Sequence, residues 1–288
     1  MSFTVDTAFV HAFSENVHTL AQQKESKLRS TVRIRTGVKG KTHNFERVGS
    51  VTMVALTSRH QDTPLTEVAH SRRRASLTDY ALAELIDDVD EIRMLISPQS
   101  DYARLFAASY NRRLDQTVIN ALNAAATTVD SADATSTVAL GSGQQVANNN
   151  ALMTLTKVLN AKRLLDAADV EMEDRVFLHS PRALEDLLSV TAFTSADFNA
   201  VKALYEGSIK RYLGFEWISS TLLPISGTSR SNFAFQKDGM GCAIGLDLKI
   251  EVDKRTDKNN STQVLTKVAL GAVRIEEARV VEILSSEP

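Results

Sequence analysis

Aromatic and aliphatic residues at every fourth position place the strongest constraint on how this chain can fold. The six that repeat in this way are Tyr102, Phe106, Tyr110, Leu114, Val118 and Leu122. Residues four apart lie on one face of an α-helix, and Leu105 and Ile119 widen that face. The spacing predicts a helix of about 25 residues, which at ~1.5 Å per residue would span roughly 37 Å. A helix of this length is more typical of a scaffold axis than of the wall of a pocket.

A basic block near the N-terminus is the second informative feature. Residues 24–74 hold 12 of the chain's 33 Lys and Arg but 4 of its 35 Asp and Glu, although the net charge of the whole chain is −2. Apolar and polar residues alternate here, which predicts strands between about 31 and 76 with a turn near 57–64. The alternating residues are Val32 and Ile34, His43 and Phe45, and Val51, Met53 and Ala55. A two-stranded excursion cannot stand alone, so we expect it to lie on the rest of the chain, a second copy or a polyanion.

The remaining pattern predicts an α+β fold. Helices are expected at 7–22, 78–96, 151–167, 181–190 and 195–206, of which 78–96 is acidic and would end near Pro98. Strands are expected at 174–179, 215–219, 232–237, 241–253, 263–275 and 279–284. Residues 127–150 contain no Lys, Arg or aromatic residue and predict a loose connection between subdomains.

Composition narrows the cellular setting. The single cysteine, Cys242, excludes an internal disulfide and favours a reducing compartment. No apolar run approaches the ~18 residues of a membrane span, so no membrane partner is expected. The first 23 residues lack Lys and Arg and do not form a signal peptide. The expectation is a soluble, intracellular protein.

Motifs for chemistry are missing from the sequence. The six histidines form no ligand pair such as His-x-x-x-His, so no metal site is expected. The glycines from Gly239 to Gly245 resemble a nucleotide-binding loop, but β alternation follows them instead of a helix, which favours a turn or bulge. Cys242 has no neighbouring base and is expected to be a small buried residue. We therefore assign no catalytic residue and no cofactor.

The run Arg72-Arg73-Arg74 is the sharpest charge feature. It could bind phosphate, or it could be an exposed run that pairs with carboxylates. Phe45 is the only aromatic residue in the basic block, so aromatic stacking on nucleic-acid bases is disfavoured.

The order of elements resembles the major capsid proteins of tailed bacteriophages, which share the Hong Kong 97-type fold. Seven segments carry the likeness: Ser71-Arg-Arg-Arg-Ala-Ser-Leu-Thr-Asp-Tyr80, Ile86-Asp-Asp-Val-Asp90, Tyr102-Ala, Arg113-Leu-Asp115, Gly207-Ser-Ile, Leu213-Gly-Phe-Glu-Trp-Ile218 and Gly271-Ala-Val-Arg-Ile275. The resemblance extends over nearly the whole chain.

This resemblance implies a domain organisation. It comprises an N-terminal arm (1–31), an extended β-hairpin called the E-loop (32–77), a peripheral domain with the long spine helix (78–150), an axial domain (151–231), further peripheral strands (232–270) and a C-terminal axial strand (271–288).

The resemblance also implies a function without catalysis. Many copies, as pentamers and hexamers, would form the icosahedral head of a virion around double-stranded DNA that they contact non-specifically. Because Met1 directly precedes the arm, a separate scaffolding protein is expected, together with a portal protein and assembly in the host cytoplasm. Two alternatives stay open: a protein-nanocompartment shell of the same fold, and a nucleic-acid-binding protein that uses residues 24–74.

Contacts between subunits are expected to join the cationic block to an acidic surface of a neighbouring copy. The candidate residues are Arg33, Arg35, Lys39, Lys41, Arg59, Arg72, Arg73, Arg74, Asp87, Asp88, Asp90 and Glu91. Reversing the charge of the three consecutive arginines is expected to impair assembly and leave the monomer folded.

Overall fold

The structure is a computed structural model, and it describes residues 22–86, 98–130, 133–189 and 211–287. The predicted helix at 195–206 lies outside these residues, as does nearly all of the one at 7–22. None of the helices within the described ranges is long and apolar enough to cross a membrane.

The described part of the chain contains three α-helices and fifteen strands, together with short 3-10 turns. The helices are α1 (Pro98–Asn123), α2 (Leu155–Ala167) and α3 (Pro181–Ser189). The strands are β1 (Arg33–Thr36), β2 (Thr42–Val48), β3 (His70–Ser76), β4 (Thr78–Ile86), β5 (Ala126–Val129), β6 (Thr135–Val138), β7 (Gln145–Val146), β8 (Arg175–His179), β9 (Arg211–Tyr212), β10 (Phe215–Ser219), β11 (Ile225–Ser226), β12 (Ser229–Gln236), β13 (Met240–Arg255), β14 (Ser261–Arg274) and β15 (Val280–Ser286).

These strands form three sheets. The long sheet has the order β1-β13-β14-β4, and the seven-stranded sheet has the order β7-β15-β12-β8-β10-β9 with β11 beside β12. The hairpin sheet has the order β2-β3-β5-β6. Each sheet joins segments that are distant in sequence, so the fold depends on non-local pairing. The predicted domain boundaries stay a prediction, although β12 lies in the same sheet as β8 and β10.

Helix α1 confirms the helix predicted from the four-residue spacing. Its residues Leu114, Val118 and Leu122 are fully buried and share one core with residues of the long and seven-stranded sheets, such as Leu270 and Phe235. The helix begins at Pro98, where a proline fits because the first helical position needs no N–H donor.

A second core lies on the seven-stranded sheet. Helices α2 and α3 contribute Val158 and Leu187, which pack with Phe177 of β8 and Phe215 of β10. The sequence predicted these helices and strands correctly to within a few residues, including Pro181 in the first turn of α3.

The helix predicted at 78–96 is wrong over its first nine residues. Residues 78–86 form β4, which pairs with β14 from Thr78 opposite Leu270 to Ile86 opposite Thr262. The helix-favouring Ala, Leu and Glu of this segment are overridden because β4 pairs along its whole length with β14, which satisfies the backbone groups on that side of this edge strand.

Two other sequence predictions need correction. The segment 127–150 is not a loose connection throughout, since β5 pairs with both β3 and β6. The segment that holds Val51, Met53 and Ala55 has no strand in the structure, because no other strand lies beside it. Strand β1 pairs in parallel with β13 and so belongs to the long sheet.

Candidate functional site

The basic block contains an antiparallel hairpin that extends from the body of the subunit. We call residues 42–76 the hairpin; β2 and β3 pair from Thr42 opposite Ser76 to Val48 opposite His70. The amide of Gly49 donates to the carbonyl of Ala69 at 2.7 Å. Beyond this bond the loop 50–68 has no strand. Each limb of about ten residues can reach at most ~35 Å.

The root of the hairpin lies close on the long sheet. The Phe45 ring covers Gly241, where a methyl group would lie 2.7 Å from the ring. The Ser76 carbonyl covers Gly271 in the same way. Only glycine leaves room for so close an approach of backbone or ring, so the root is held against β13 and β14.

The loop of the hairpin and the adjoining end of β2 expose many apolar side chains. Seven of the fifteen large apolar side chains that are exposed in the described chain lie between residues 48 and 68. They are Val48, Val51, Met53, Val54, Leu56, Leu65 and Val68. Met53 is 99% exposed and Leu65 is 94% exposed. Apolar surface concentrated in this way marks an interaction site.

Five of the predicted contact cations lie on the surface around the hairpin. Arg33 and Arg35 lie on the outer strand β1, Lys39 and Lys41 lie just before β2, and Arg59 lies in the turn at the tip, and all five are exposed. They are available to carboxylates of another molecule. Asp87, Asp88, Asp90 and Glu91, the predicted acidic partners, lie outside the described residues.

The three consecutive arginines do not form one exposed run. Strand alternation points Arg73 to the body, where its side chain is 4% exposed and lies 2.6 Å from Glu277. Arg72 lies 3.8 Å from Glu46 and Arg74 lies 3.2 Å from Asp133. Reversing the charge of Arg73 would therefore bury a carboxylate beside Glu277. The expectation that the monomer stays folded after reversal of all three charges is wrong for this residue.

Three arginines connect the hairpin to the body through one carboxylate. Arg47 of β2, Arg73 of β3 and Arg274 of β14 all lie within 4 Å of Glu277. We call these four residues the Glu277 cluster. Sequence reasoning missed it, although a lone arginine within the apolar segment Gly271-Ala-Val-Arg-Ile275 was a signal, because a charge there needs a buried partner.

The start of the described chain is held by a buried aspartate of α1. Asp115 is 1% exposed and its carboxylate accepts bonds from the backbone amides of Lys27 at 2.9 Å and Leu28 at 3.1 Å. The Ser26 hydroxyl donates at 2.5 Å, and the Gln23 amide donates as well. These four donors on one carboxylate hold residues 23–28 against α1.

Replacing Asp115 with Asn should loosen this attachment. The amide group lacks one acceptor oxygen, so we expect the free energy of unfolding to fall by about 2 to 3 kcal/mol. Proteolysis between residues 22 and 28 should also become faster. Urea unfolding and timed proteolysis of the purified subunit measure both effects. Asp253→Asn, at an exposed position of β13, is the matched control; equal losses in the two variants would contradict the anchoring role.

A second contact joins the same chain segment to α1 and β13. The hydroxyl of Tyr110 donates to Asp247 at 2.6 Å, and Arg29 lies 3.1 Å from the same carboxylate. Burial, together with the bond to Asp247, raises the pKa of Tyr110. The phenol therefore stays protonated and acts as a structural donor.

Two further groups that could be reactive, the Cys242 thiol and the Lys157 ammonium, are buried and have structural surroundings. Burial raises the pKa of the Cys242 thiol to about 12, so the thiol is not ionised near neutral pH. A cavity of about 540 Å³ lies beside Lys157, but the Lys157 ammonium donates to the carbonyls of Asn148, Ala151 and Leu284 at 2.7 to 2.9 Å. In the described ranges, no three His, Cys, Asp or Glu residues are grouped so that they could hold a metal ion.

Comparison with known proteins identifies similar chains. A family model described as phage capsid protein matches residues 5–287. No curated protein sequence matches the chain.

Three solved structures with the same fold are phage capsid or head structures. The capsid of Cyanophage P-SCSP1u is 17% identical, with 100% of this chain and 96% of that chain covered at a TM-score of 0.76. The capsid of Ralstonia phage GP4 is 11% identical, with 100% and 98% covered at a TM-score of 0.75. The head structure of Helicobacter pylori bacteriophage KHP40 is 8% identical, with 99% and 98% covered at a TM-score of 0.74.

Proposed function

Because the chain belongs to the phage capsid protein family and is the structural, non-enzymatic major capsid protein of a tailed phage head, we propose that its hairpin fastens each copy to a neighbouring copy. The fold is the predicted Hong Kong 97-type α+β fold. Copies of the chain assemble into the head shell, and the protein is located in the capsid of the virion.

The exposed apolar loop carries the proposal. Residues 48–68 leave seven large apolar side chains in water, and burying a Met or Leu side chain fully stabilises by about 1.5 to 3 kcal/mol. The loop extends away from the body and has no core of its own. In a shell, every subunit has another copy of the chain beside it, and we take that copy as the partner that covers the loop. The same weak contact is then repeated at every subunit and builds a closed shell.

Exposed cations of the basic block add a second contribution. Arg33, Arg35, Lys39, Lys41 and Arg59 lie around the hairpin, and Asp87, Asp88, Asp90 and Glu91 are the acidic partners that we propose on the neighbouring copy. Charge pairs of this kind favour correct register more than affinity. Arg72 stays a candidate because its side chain is 49% exposed, whereas the intrachain pair of Arg73 accounts for its charge.

The finer assembly partners are proposals as well. We propose pentamers and hexamers of the chain in an icosahedral shell, built in the host cytoplasm with a separate scaffolding protein and a portal protein. Packaged double-stranded DNA would touch the inner surface non-specifically through phosphate neutralisation. Family membership favours this head shell over the nanocompartment alternative.

Electron microscopy of the chain tests the proposal. We expect uniform, hollow, closed particles from the chain expressed alone or with a scaffolding protein. Monomers that persist in both preparations would contradict it. Small oligomers whose DNA binding falls steeply between 50 and 200 mM salt would instead support the nucleic-acid-binding alternative.

A further inference from the structure

Three guanidinium groups surround a single carboxylate in the Glu277 cluster. Glu277 lies 2.6 Å from Arg73, 3.5 Å from Arg47 and 3.8 Å from Arg274. The cluster therefore holds three positive charges and one negative charge. Glu277 is the one group among the four that keeps the arginines together.

The cluster joins parts of the chain that are far apart in sequence. Arg47 and Arg73 come from the two strands of the hairpin, and both also donate to the Ile275 carbonyl, at 3.0 and 3.2 Å. Residues 275–279 connect β14 of the long sheet to β15 of the seven-stranded sheet. Both hairpin strands are thus attached to the point where the two sheets of the body meet.

Two of the three arginines also have little access to water. The side chain of Arg274 is 0% exposed and that of Arg73 is 4% exposed. Burial lowers the pKa of both guanidiniums, as expected for cations removed from water. Without the carboxylate, the buried Arg73 and Arg274 and the partly exposed Arg47 would repel one another with no negative charge of the cluster between them.

The other contacts of Arg274 hold it in place. Its guanidinium donates to the carbonyls of Leu122 and Ala124 at the end of α1, at 2.8 and 2.9 Å, and to that of Val138 in β6 at 3.0 Å. Arg274 is therefore fixed independently of Glu277, whereas Arg47 and Arg73 reach the rest of the subunit through Glu277, the Ile275 carbonyl and, for Arg73, the Thr128 hydroxyl. Loss of the Glu277 charge would release the hairpin side first.

We propose that Glu277 is a positioning residue that fixes the angle of the hairpin against the body and thereby makes the shells uniform. The second half of this inference rests on the proposed function, in which the hairpin contacts a neighbouring copy. The first half concerns the single subunit and does not depend on assembly.

Hydrogen exchange of the unassembled subunit tests the first half. In Glu277→Gln we expect the amides of β2 and β3 to exchange about tenfold faster or more, because hydrogen bonds to the charged form are lost. Amides of β8 and β12 should keep their native rates. Glu276→Gln is the matched control, since Glu276 is the adjacent glutamate, is 43% exposed and pairs with Arg279 at 2.6 Å. Glu277→Asp keeps the charge and should restore most of the protection.

Electron microscopy of the same variants tests the second half. Glu277→Gln should give particles of several diameters or open sheets, and Glu276→Gln should give native particles. Equal exchange in the two glutamine variants overturns the positioning role, and so does faster exchange throughout the subunit that Glu277→Asp does not rescue. A loosened hairpin with uniform native particles overturns the link to shell geometry. If the native chain itself forms no shells, the proposed function fails while the exchange result still decides the first half.

Discussion

Replacing residues 50–68 with an Asn-Gly turn should abolish shell formation and leave the subunit folded. The Gly49 amide already donates to the Ala69 carbonyl at 2.7 Å, so a two-residue turn can close the hairpin without displacing β2 or β3. The deletion removes the exposed apolar side chains of the loop but none of the buried core. Circular dichroism should show native folding, and electron microscopy should show no closed particles.

A pair of point variants makes this prediction sharper. Met53→Ser removes an apolar side chain that is 99% exposed in the isolated subunit, and Met172→Ser removes one that is 67% exposed outside the hairpin. If Met53 is buried in the shell, its replacement should raise the subunit concentration needed for assembly about tenfold or more. Met172→Ser should leave that concentration unchanged. Native shells from the shortened chain would refute the fastening role of the loop.

Replacing Arg274 with Met should cost about 3 to 5 kcal/mol of the free energy of unfolding, because three backbone carbonyls lose their buried donor, whereas Glu277 keeps its pairs with Arg47 and Arg73. Arg274 is fully buried and donates to the carbonyls of Leu122, Ala124 and Val138. Methionine fills much of the space but offers none of these donors. Urea unfolding of the unassembled subunit measures the loss.

Arg255→Met provides the control for Arg274. Arg255 also has an ion pair, at 2.6 Å from Asp257, but its side chain is 42% exposed. Exposed pairs contribute about 0 to 1 kcal/mol, so this variant should remain near native stability. A loss for Arg274→Met no larger than that for Arg255→Met would show that the buried donors do not stabilise the junction of α1, β6 and β14.

The parts of the fold that could be predicted are those set by local spacing. Helix α1 has an apolar stripe over six turns, and such a stripe needs no knowledge of the rest of the chain. Strand β4 was misread because Leu82, Leu85 and Ile86 also fit helical spacing. The segment forms a strand because it pairs with β14, which lies far along the chain. No local sequence pattern reveals that pairing.

The candidate site could be predicted only where it depends on residues that are close in sequence. Charge counting located the basic block and the hairpin within it. It could not assign Arg73 to a buried pair, since Glu277 lies 204 residues away in sequence. One signal was available: consecutive residues of a strand face opposite sides, so Arg73 could not share a surface with Arg72 and Arg74.

The close contact of the hairpin root with Gly241 and Gly271 has a consequence for mechanical precision. A loop that can reach at most ~35 Å from its root acts as a lever, and at that full reach a rotation of about 5° at the root moves the tip by about 3 Å. A displacement of that size equals the length of a hydrogen bond and would put the tip out of register with its target. A side chain larger than glycine at either position would overlap the Phe45 ring or the Ser76 carbonyl and force the root to shift. Two glycines buried inside one subunit therefore contribute, together with Glu277, to how accurately the tip is placed.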